Sequence, residues 1–539
     1  MVAGAVTRGD TVITLPISDG LDTIECGQLS VIRRFGLVGA LLLAAGSLGA
    51  GASPVFNPLT TVPVAGLLTR LPTVALACAY AGMAMIVLGW LWLGRFVRPG
   101  RPRLLSRGQL TRTMLTWTVP LVFVPPMFSR DVYSYLAQSK IASLGLNPYL
   151  LGPAQALGVA DPLTRGVPTI WRDTPAPYGP LFITVGRVVT VLSGDHVVTG
   201  VYLQRLLELV GVAMIVWALP KLAKRFGVPP VSALWLGAAN PLVLWHLVIG
   251  SHNEALMIGP MLAGFELALR KMPNVRRGDP IPPITRPEMM WLLAGTSVIA
   301  LGAAVKISAA PALGFLAVLV ARRWGGKFRH LVLAGGLLFV VFAAIIMATS
   351  VGSGLGFGWI STLNTNSLVK SWLSPVTALG FLAGGLGIAF GLGNHTDATI
   401  GAMRLLGDLA GLGVTVKLLW DTWRGRLQPM IGLGLSLGAV VLLGATVQPW
   451  YVLWAAIPLA ASTGASLFRT GATVVCAVIA LLVPPTGSAF SDHAYILPYA
   501  LMAAAIVFAV AVFAVRRRLP VLPWRDPAGT PDGVSDATA

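Results

Sequence analysis

Residues Arg112 to Lys140 read "RTMLTWTVPLVFVPPMFSRDVYSYLAQSK". The first part, 112–128, is an apolar run that stops abruptly at Ser129, Arg130 and Asp131. The next segment has helical spacing but carries a carboxylate and two tyrosines. A charge at the exit of an oily run is costly unless it meets water, a partner or a substrate. The run is therefore read as a membrane span, and Asp131 as a residue at its mouth.

Composition extends that reading to the whole chain. Of 539 residues, 55% are hydrophobic and 11% charged, against roughly 25% charged in a soluble protein, and the mean hydropathy is +0.78. Apolar runs recur near 35–52, 73–94, 112–128, 197–219, 231–249, 254–270, 289–306, 307–321, 330–349, 400–419, 429–447, 450–464, 470–485 and 495–515. The fold class is all-α, a polytopic transmembrane helical bundle of about 12–14 spans. Residues 33–518 form the membrane domain; the polar tails 1–32 and 519–539 are expected to be disordered and cytoplasmic.

The net charge of +19 is not a nucleic-acid signature here, because cytoplasmic loops of membrane proteins collect Lys and Arg. Alternating the spans puts the clusters at Arg95–Arg112, Lys221–Arg225, Arg270–Arg286, Arg322–Arg329, Arg424–Arg426 and Arg516–Arg525 on one side. That side is cytoplasmic by the positive-inside rule. Two long stretches, 129–196 and about 350–399, are left outside, and their semi-apolar pieces Pro180–Ser193 and Pro375–Leu392 are expected to lie on the outer membrane surface or re-enter it. Cys26, Cys78 and Cys476 form neither a disulfide framework nor a metal-ligand pattern. No cleavable signal precedes the first apolar run.

Polar residues gather at the outer ends of the spans. Asp131 is one; as a bare residue type it is as well suited to capping the next helix or pairing with Arg130 as to chemistry. The second group is "WHLVIGSHNEALM", Trp245 to Met257, a tight turn with His252, Asn253 and Glu254 in succession. Turn chemistry alone accounts for three polar residues in a short loop, yet Glu254 opens a span. Two acidic residues on one face suggest one pocket. Their ligand types are too sparse for zinc. Arg205 and Lys306 lie within apolar runs, where Lys306 either snorkels or meets an anion. Trp450 and Tyr451 in "VQPWYVLW" suit an interfacial belt or a sugar platform, and "FSDHAYI", 490–496, is a further polar point. No G-x-x-x-x-G-K-[ST] phosphate loop is present.

In order, the chain shows a span ending at Asp131, then "YGPLFITVGRVVTVLSGD" (Tyr178 to Asp195), the Arg-bearing "YLQRLLELVGVAMIVWAL", "AANPLVLWHLVIGSHNEALM" and "AAVKISAAP" (Ala303 to Pro311). This order resembles the integral-membrane glycosyltransferases of the GT-C superfamily, and within it the actinobacterial polyprenol-phosphomannose-dependent α-1,6-mannosyltransferases. The resemblance covers about Phe128 to Leu313, with support from "QPWYVLW". It implies mannose transfer from polyprenyl phosphomannose to a lipid-anchored mannan, the core of lipomannan and lipoarabinomannan, at the outer face of the plasma membrane. It also implies an inverting single displacement with Asp131 as base and no required cofactor, divalent metal dependence being left open. Glu254 joins Asp131 as a catalytic candidate; Arg130, Tyr133, His252, Asn253, Arg205, Lys306, Gln448, Trp450 and Tyr451 are candidates for substrate binding. Partners are the donor, the acceptor and membrane lipids, with no nucleic acid. Two spans precede the one ending at Asp131, unlike the simpler family layout, and no large C-terminal outer domain is present. Protein mannosyltransfer or arabinosyltransfer, and a transporter or flippase, are the alternative readings; no internal repeat supports the last.

Overall fold

A computed structural model describes residues 20–273, 282–363, 365–371, 373–487 and 493–519, with the backbone of 5–8 and 11–14 as a two-stranded antiparallel hairpin. The principal helices are α1 (Thr23–Ala50), α2 (Pro72–Gly94), α3 (Arg107–Val122), α4 (Asp131–Ser143), α5 (Pro180–Ser193), α6 (Val197–Arg225), α7 (Pro230–Gly237), α8 (Glu254–Leu269) and α9 (Arg286–Val305). They continue with α10 (Pro311–Arg323), α11 (Phe328–Gly352), α12 (Pro375–Ala389), α13 (Thr396–Trp423), α14 (Pro429–Leu443), α15 (Val452–Ala460), α16 (Ser466–Leu482) and α17 (Leu497–Val515). This is the expected all-helical membrane architecture.

Each expected span overlaps a helix, although 112–128 is helical only as far as Val122, and six helical stretches among the described residues are long and apolar enough to cross a bilayer unaided: Thr23–Ala50, Pro72–Val97, Val197–Arg225, Arg286–Val305, Phe328–Gly352 and Leu497–Arg518. The others are shorter or interrupted. The expected span 231–249 is α7 followed, after a break, by a π-helix, Val243–Ile249. Asn240 makes the break, donating to the Leu236 carbonyl and accepting from the Leu242 N–H. Such interruptions are tolerated at membrane depth where the freed backbone is covered by protein, and the side chains of 243–249 are all buried.

The N-terminal tail assignment changes in part. Residues 23–32 are helical: Asp22 and Glu25 form a capping box that starts α1, and Arg103 and Arg101 pair with those two carboxylates. The signal was in the sequence, since D-x-x-E ahead of a run of helix formers is a helix start. Residues 15–19 and 520–539 lie outside the described residues.

Contacts between helix ends define two poles. At one, Arg225 reaches the carbonyls of Leu269 and Met272, Arg323 pairs with Glu288 at 3.0 Å, Arg322 reaches Thr422, and Arg469 bonds Ser232 and Ala460. These join several of the basic loops. Along α9, Lys306 lies eighteen residues past Glu288, about 27 Å at 1.5 Å per residue. That is close to the hydrocarbon thickness of a bilayer, roughly 30 Å. The opposite pole holds Asp131, Glu254 and Lys306.

Of the two outer pieces, Pro180–Ser193 is helical over its expected length as α5. The second is helical over Pro375–Ala389 as α12 and packs against α13. α12 runs antiparallel to the first half of α13, with Gly380 against Ile400 and Gly384 against Thr396, while Gly407 meets the Leu443 carbonyl. The eleven residues from Gly407 back to Thr396 carry this hairpin about 16 Å past that contact.

The core is locked by tryptophans. Trp90 and Trp235 stack at 4.8 Å, and each indole N–H donates to the other's backbone carbonyl. Helices α1 and α2 cross through glycine: a Cβ at Gly82 would stand 2.5 Å from the Gly39 carbonyl oxygen. Small residues permit this approach between membrane helices, where dispersion replaces the hydrophobic effect. Gly82→Leu is expected to wedge α1 from α2, costing on the order of 1–3 kcal/mol of stability, and so to lower the unfolding temperature in detergent. A melting curve matching the parent would show that this crossing does not contribute to stability.

Candidate active site

Asp131 is delivered by a sharp turn. After α3, Pro125 and Pro126 bar helix continuation, and Phe128 adopts φ 66°. A bulky residue in the left-handed region is strained. It is held there by an N–H bond to the Pro485 carbonyl at 3.0 Å and by stacking of its ring on Trp245 at 5.3 Å. Ser129 Oγ then accepts the Asp131 N–H at 3.0 Å, and α4 begins.

The second acidic group arrives by a parallel device. The π-helix ends at Ile249, Ser251 sits at φ 52°, and the His252 N–H bonds the His246 carbonyl at 3.0 Å. Helix α8 starts at Glu254. Rare π turns mark functional sites because they re-aim the chain. Here His252 Nδ1 lies 3.5 Å from Asp131 Oδ2 and 4.0 Å from Glu254 Oε2.

Lys306 occupies the extended break between α9 and α10, φ −150°. Its Nζ contacts Glu254 Oε1 at 2.5 Å and lies 4.8 and 5.2 Å from the ring centroids of Tyr451 and Trp454. Charge pairing and cation–π contact together compensate a buried ammonium. On the other wall, Tyr178 packs edge-on against Tyr135 at 5.2 Å. Its neighbour Gly179 donates to the Val305 carbonyl at 2.9 Å, and a Cβ there would stand 2.1 Å from the Ala304 oxygen. The "YGP" motif is thus a close approach that docks the outer stretch beside Lys306.

These groups surround a narrow cleft of about 50 Å³, lined by Asp131, Tyr135, Trp171, Tyr178, Asn253, Glu254, Lys306, Val369, Thr446, Gln448, Trp450 and Tyr451. Seven of the residues expected from sequence converge there. His252 stands just behind, stacked on Trp450 at 3.8 Å. Neither of its ring nitrogens, nor the side-chain amide of Asn253, has a hydrogen-bond partner. Buried polar groups are rarely left so, and Asn253 lines the cleft.

Three expected residues are elsewhere. Arg130 binds the carbonyls of Gly166 and Ser53, and Tyr133 hydroxyl binds that of Ala52. On a helix, Tyr133 points about 200° away from Asp131, so both cannot face one cleft. Arg205 is fully buried, with its donors on Val122, Val124, Ile249 and Ser251. Tyr135 was legible but not chosen, being one helical turn after Asp131. Tyr178 precedes a helix-opening proline. Trp171, Val369 and Thr446 carry no local signal. Of the polar point at 490–496, residues 490–492 lie outside the described residues.

Electrostatically, the cleft holds two carboxylates against one lysine. Burial, reinforced by the Glu254 charge and opposed by Lys306 and the Ser129 bond, raises the Asp131 carboxyl to about 6. Its side chain keeps 18% exposure, so water and a ligand reach it. Burial, and then Lys306, push the His252 imidazole well below its usual range, so it is neutral. A carboxylate poised near neutrality beside a neutral imidazole can take up a proton. Among the described residues no three His, Cys, Asp or Glu side chains are grouped to hold a metal ion.

The family profile described as "alpha-(1->6)-mannopyranosyltransferase, N-terminal domain" matches residues 33–322, and an "MptB C-terminal domain" profile matches 376–513. A probable α-(1→6)-mannopyranosyltransferase of Mycolicibacterium smegmatis is 44% identical over 96% of this chain and 93% of its own length. The chain belongs to the α-(1→6)-mannopyranosyltransferase family of glycosyltransferases. An α-(1→6)-mannopyranosyltransferase of Mycobacterium tuberculosis is also 44% identical, over 94% of this chain and 90% of its own. The Corynebacterium glutamicum α-(1→6)-mannopyranosyltransferase B is 32% identical over 88% and 79%. No solved structure matches. In this glycosyltransferase the cleft at the pole opposite the joined basic loops is the candidate active site.

The raised Asp131 pKa has a consequence for stability. The fold favours the protonated carboxyl, so its stabilisation is whole below the ordinary value of 3.8 and is lost as pH rises through about 6. Above that, the ionised group costs the fold on the order of 3 kcal/mol. Asp131→Asn is therefore expected to unfold at a higher temperature than the parent at pH 7.5, with the gap closing near pH 4. A variant less stable at pH 7.5 would mean that the ionised carboxylate makes net favourable contacts.

Proposed function

We propose that the protein transfers mannose from polyprenyl phosphomannose to the growing α-(1→6)-mannan of lipomannan and lipoarabinomannan, at the outer face of the plasma membrane. The observation that carries this is Asp131: a partly exposed carboxylate, set near neutrality, in an aromatic-walled cleft about one bilayer thickness from the Arg323–Glu288 pair. That position suits a substrate whose sugar is in water and whose chain is in lipid. Basic loops on the cytoplasmic side leave the cleft outside. The reported family and its mannosyl-transferring members agree with the sugar.

The reaction needs an acceptor hydroxyl, which is a very weak acid, to attack the anomeric carbon. Asp131 takes the hydroxyl proton as the oxygen–carbon bond forms. The bond from the anomeric carbon to the phosphate oxygen breaks, and the polyprenyl phosphate leaves with the electron pair. One displacement inverts a β-linked donor to an α-mannoside, so a single base suffices. Trp171, Tyr178 and Trp450 offer faces for sugar rings, with Gln448 and Asn253 for hydroxyls. Lys306, the cation of the lining, stabilises the leaving phosphate. Glu254 holds Lys306 and adds the charge that keeps Asp131 basic. No cofactor takes part in this scheme.

Asp131→Asn keeps shape but cannot accept a proton. Mannosyl transfer by purified protein in lipid, from polyprenyl phosphomannose to a short mannoside, is expected to fall about 10²–10⁴-fold. In the parent, kcat/KM is expected to drop tenfold per pH unit below about 6, the value set at Asp131, because the protonated carboxyl is no base. Activity of the Asn variant within about threefold of the parent, well inside the general-base range, would remove Asp131 from the mechanism.

Lys306 needs a paired test, because Lys306→Met alone strands Glu254 in a buried position. In the double variant Lys306→Met/Glu254→Gln the fold is expected to persist while donor KM rises about tenfold or more, as for loss of a charge-assisted phosphate contact. An unchanged donor KM would confine Lys306 to a structural role.

A further inference from the structure

We infer that Arg205 is a positioning residue for the transfer reaction: a single buried guanidinium that clamps together the two chain segments bearing Asp131 and His252. Its Nη1 donates to the carbonyls of Val122 and Val124 at 2.7 and 2.5 Å. Nη2 donates to the Ile249 carbonyl at 3.0 Å, and Nε to Ser251 Oγ at 3.3 Å. Val122 closes α3 and Ile249 closes the π-helix. The last carbonyls of a helix have no partner of their own and carry its negative dipole end. Arg205 satisfies two such ends at once, with the planar fork that only arginine has.

The placement matters because of what each segment does next. Beyond Val124 the chain passes through the left-handed Phe128 to Asp131, and beyond Ile249 it passes through the left-handed Ser251 to His252. Both turns are strained and persist only if their roots are fixed. The 3.5 Å separation of His252 Nδ1 from Asp131 Oδ2 is the output of the two turns. Fully buried, Arg205 is not among the residues lining the cleft. It therefore acts through the backbone, not on a phosphate. The groups that face Asp131 are His252, Glu254, Lys306, Tyr135, Tyr178 and Tyr451, and a shift of either segment changes their distances to it.

The proposal rests on the reading of the cleft as the transfer site, and its test has a readout that does not depend on turnover. Arg205→Lys keeps the charge but cannot span four acceptors; Ser251→Ala removes the Nε acceptor alone. Steady-state transfer is measured with polyprenyl phosphomannose. The titration midpoint of the Asp131 carboxyl is read by infrared difference against Asp131→Asn. Arg205→Lys is expected to lower kcat at least tenfold, within the loss that a misplacement near 1 Å causes, with donor KM nearly unchanged and the carboxyl midpoint displaced. Ser251→Ala should move both readouts in the same direction by less. A folded Arg205→Lys protein with the parent's kcat and midpoint overturns the proposal. So does a tenfold rise in donor KM at unchanged kcat, which would make Arg205 a phosphate ligand. If Arg205→Lys does not fold, unchanged kcat and midpoint in Ser251→Ala overturn it equally. A displaced midpoint together with an active Asp131→Asn would keep the clamp and discard the base.

Discussion

The cleft is organised by the ion pair between Lys306 and Glu254 at 2.5 Å. Neither charge could occupy this depth alone, because an unpaired buried ion costs several kcal/mol. Pairing lets the chain break α9 at Lys306 and open α8 at Glu254, two departures from continuous helix at membrane depth. The break at Lys306 leaves the end of α9 free to receive Gly179, which brings Tyr178 to the wall. The aromatic rings of Tyr451 and Trp454 close over the ammonium and place the 446–451 turn on the opposite side. Each wall therefore takes its position from a pair of opposite charges.

The charge balance explains why the two carboxylates of the cleft stand in different environments. Glu254 is spent on Lys306 and is almost wholly buried, whereas Asp131 retains access to water. The negative charge of Glu254 then works on Asp131 from a short distance in a medium that screens poorly. Two carboxylates in different environments divide the labour that one residue type would otherwise share.

Much of this architecture was legible in the chain. The apolar runs overlap the helices, and several of the basic loops meet at one pole, because both follow from the energetics of single residues in or near lipid. Asp131 and Glu254 were recognisable because an acidic residue at a span end is conspicuous in a chain with 11% charged residues. Tyr135 was within reach of the same reasoning, one helical turn along. The capping box at Asp22 and Glu25 shows the converse, a local signal strong enough to start a helix inside a segment that composition alone marks as disordered.

What the sequence by itself determined was transfer free energy and local geometry: which segments enter the bilayer, which pole is basic, where prolines and capping residues start helices. Only the tertiary structure decided partnership. Arg205 and Lys306 look alike as cations within apolar runs, yet Arg205 closes on backbone carbonyls and Lys306 meets a carboxylate beside a cleft. Likewise Tyr133 and Tyr135 differ by two residues, and only the second lines the site. The reason is physical: burial of a polar group is tolerable only with a partner, and that partner lies tens or hundreds of residues away, beyond the range of any periodicity.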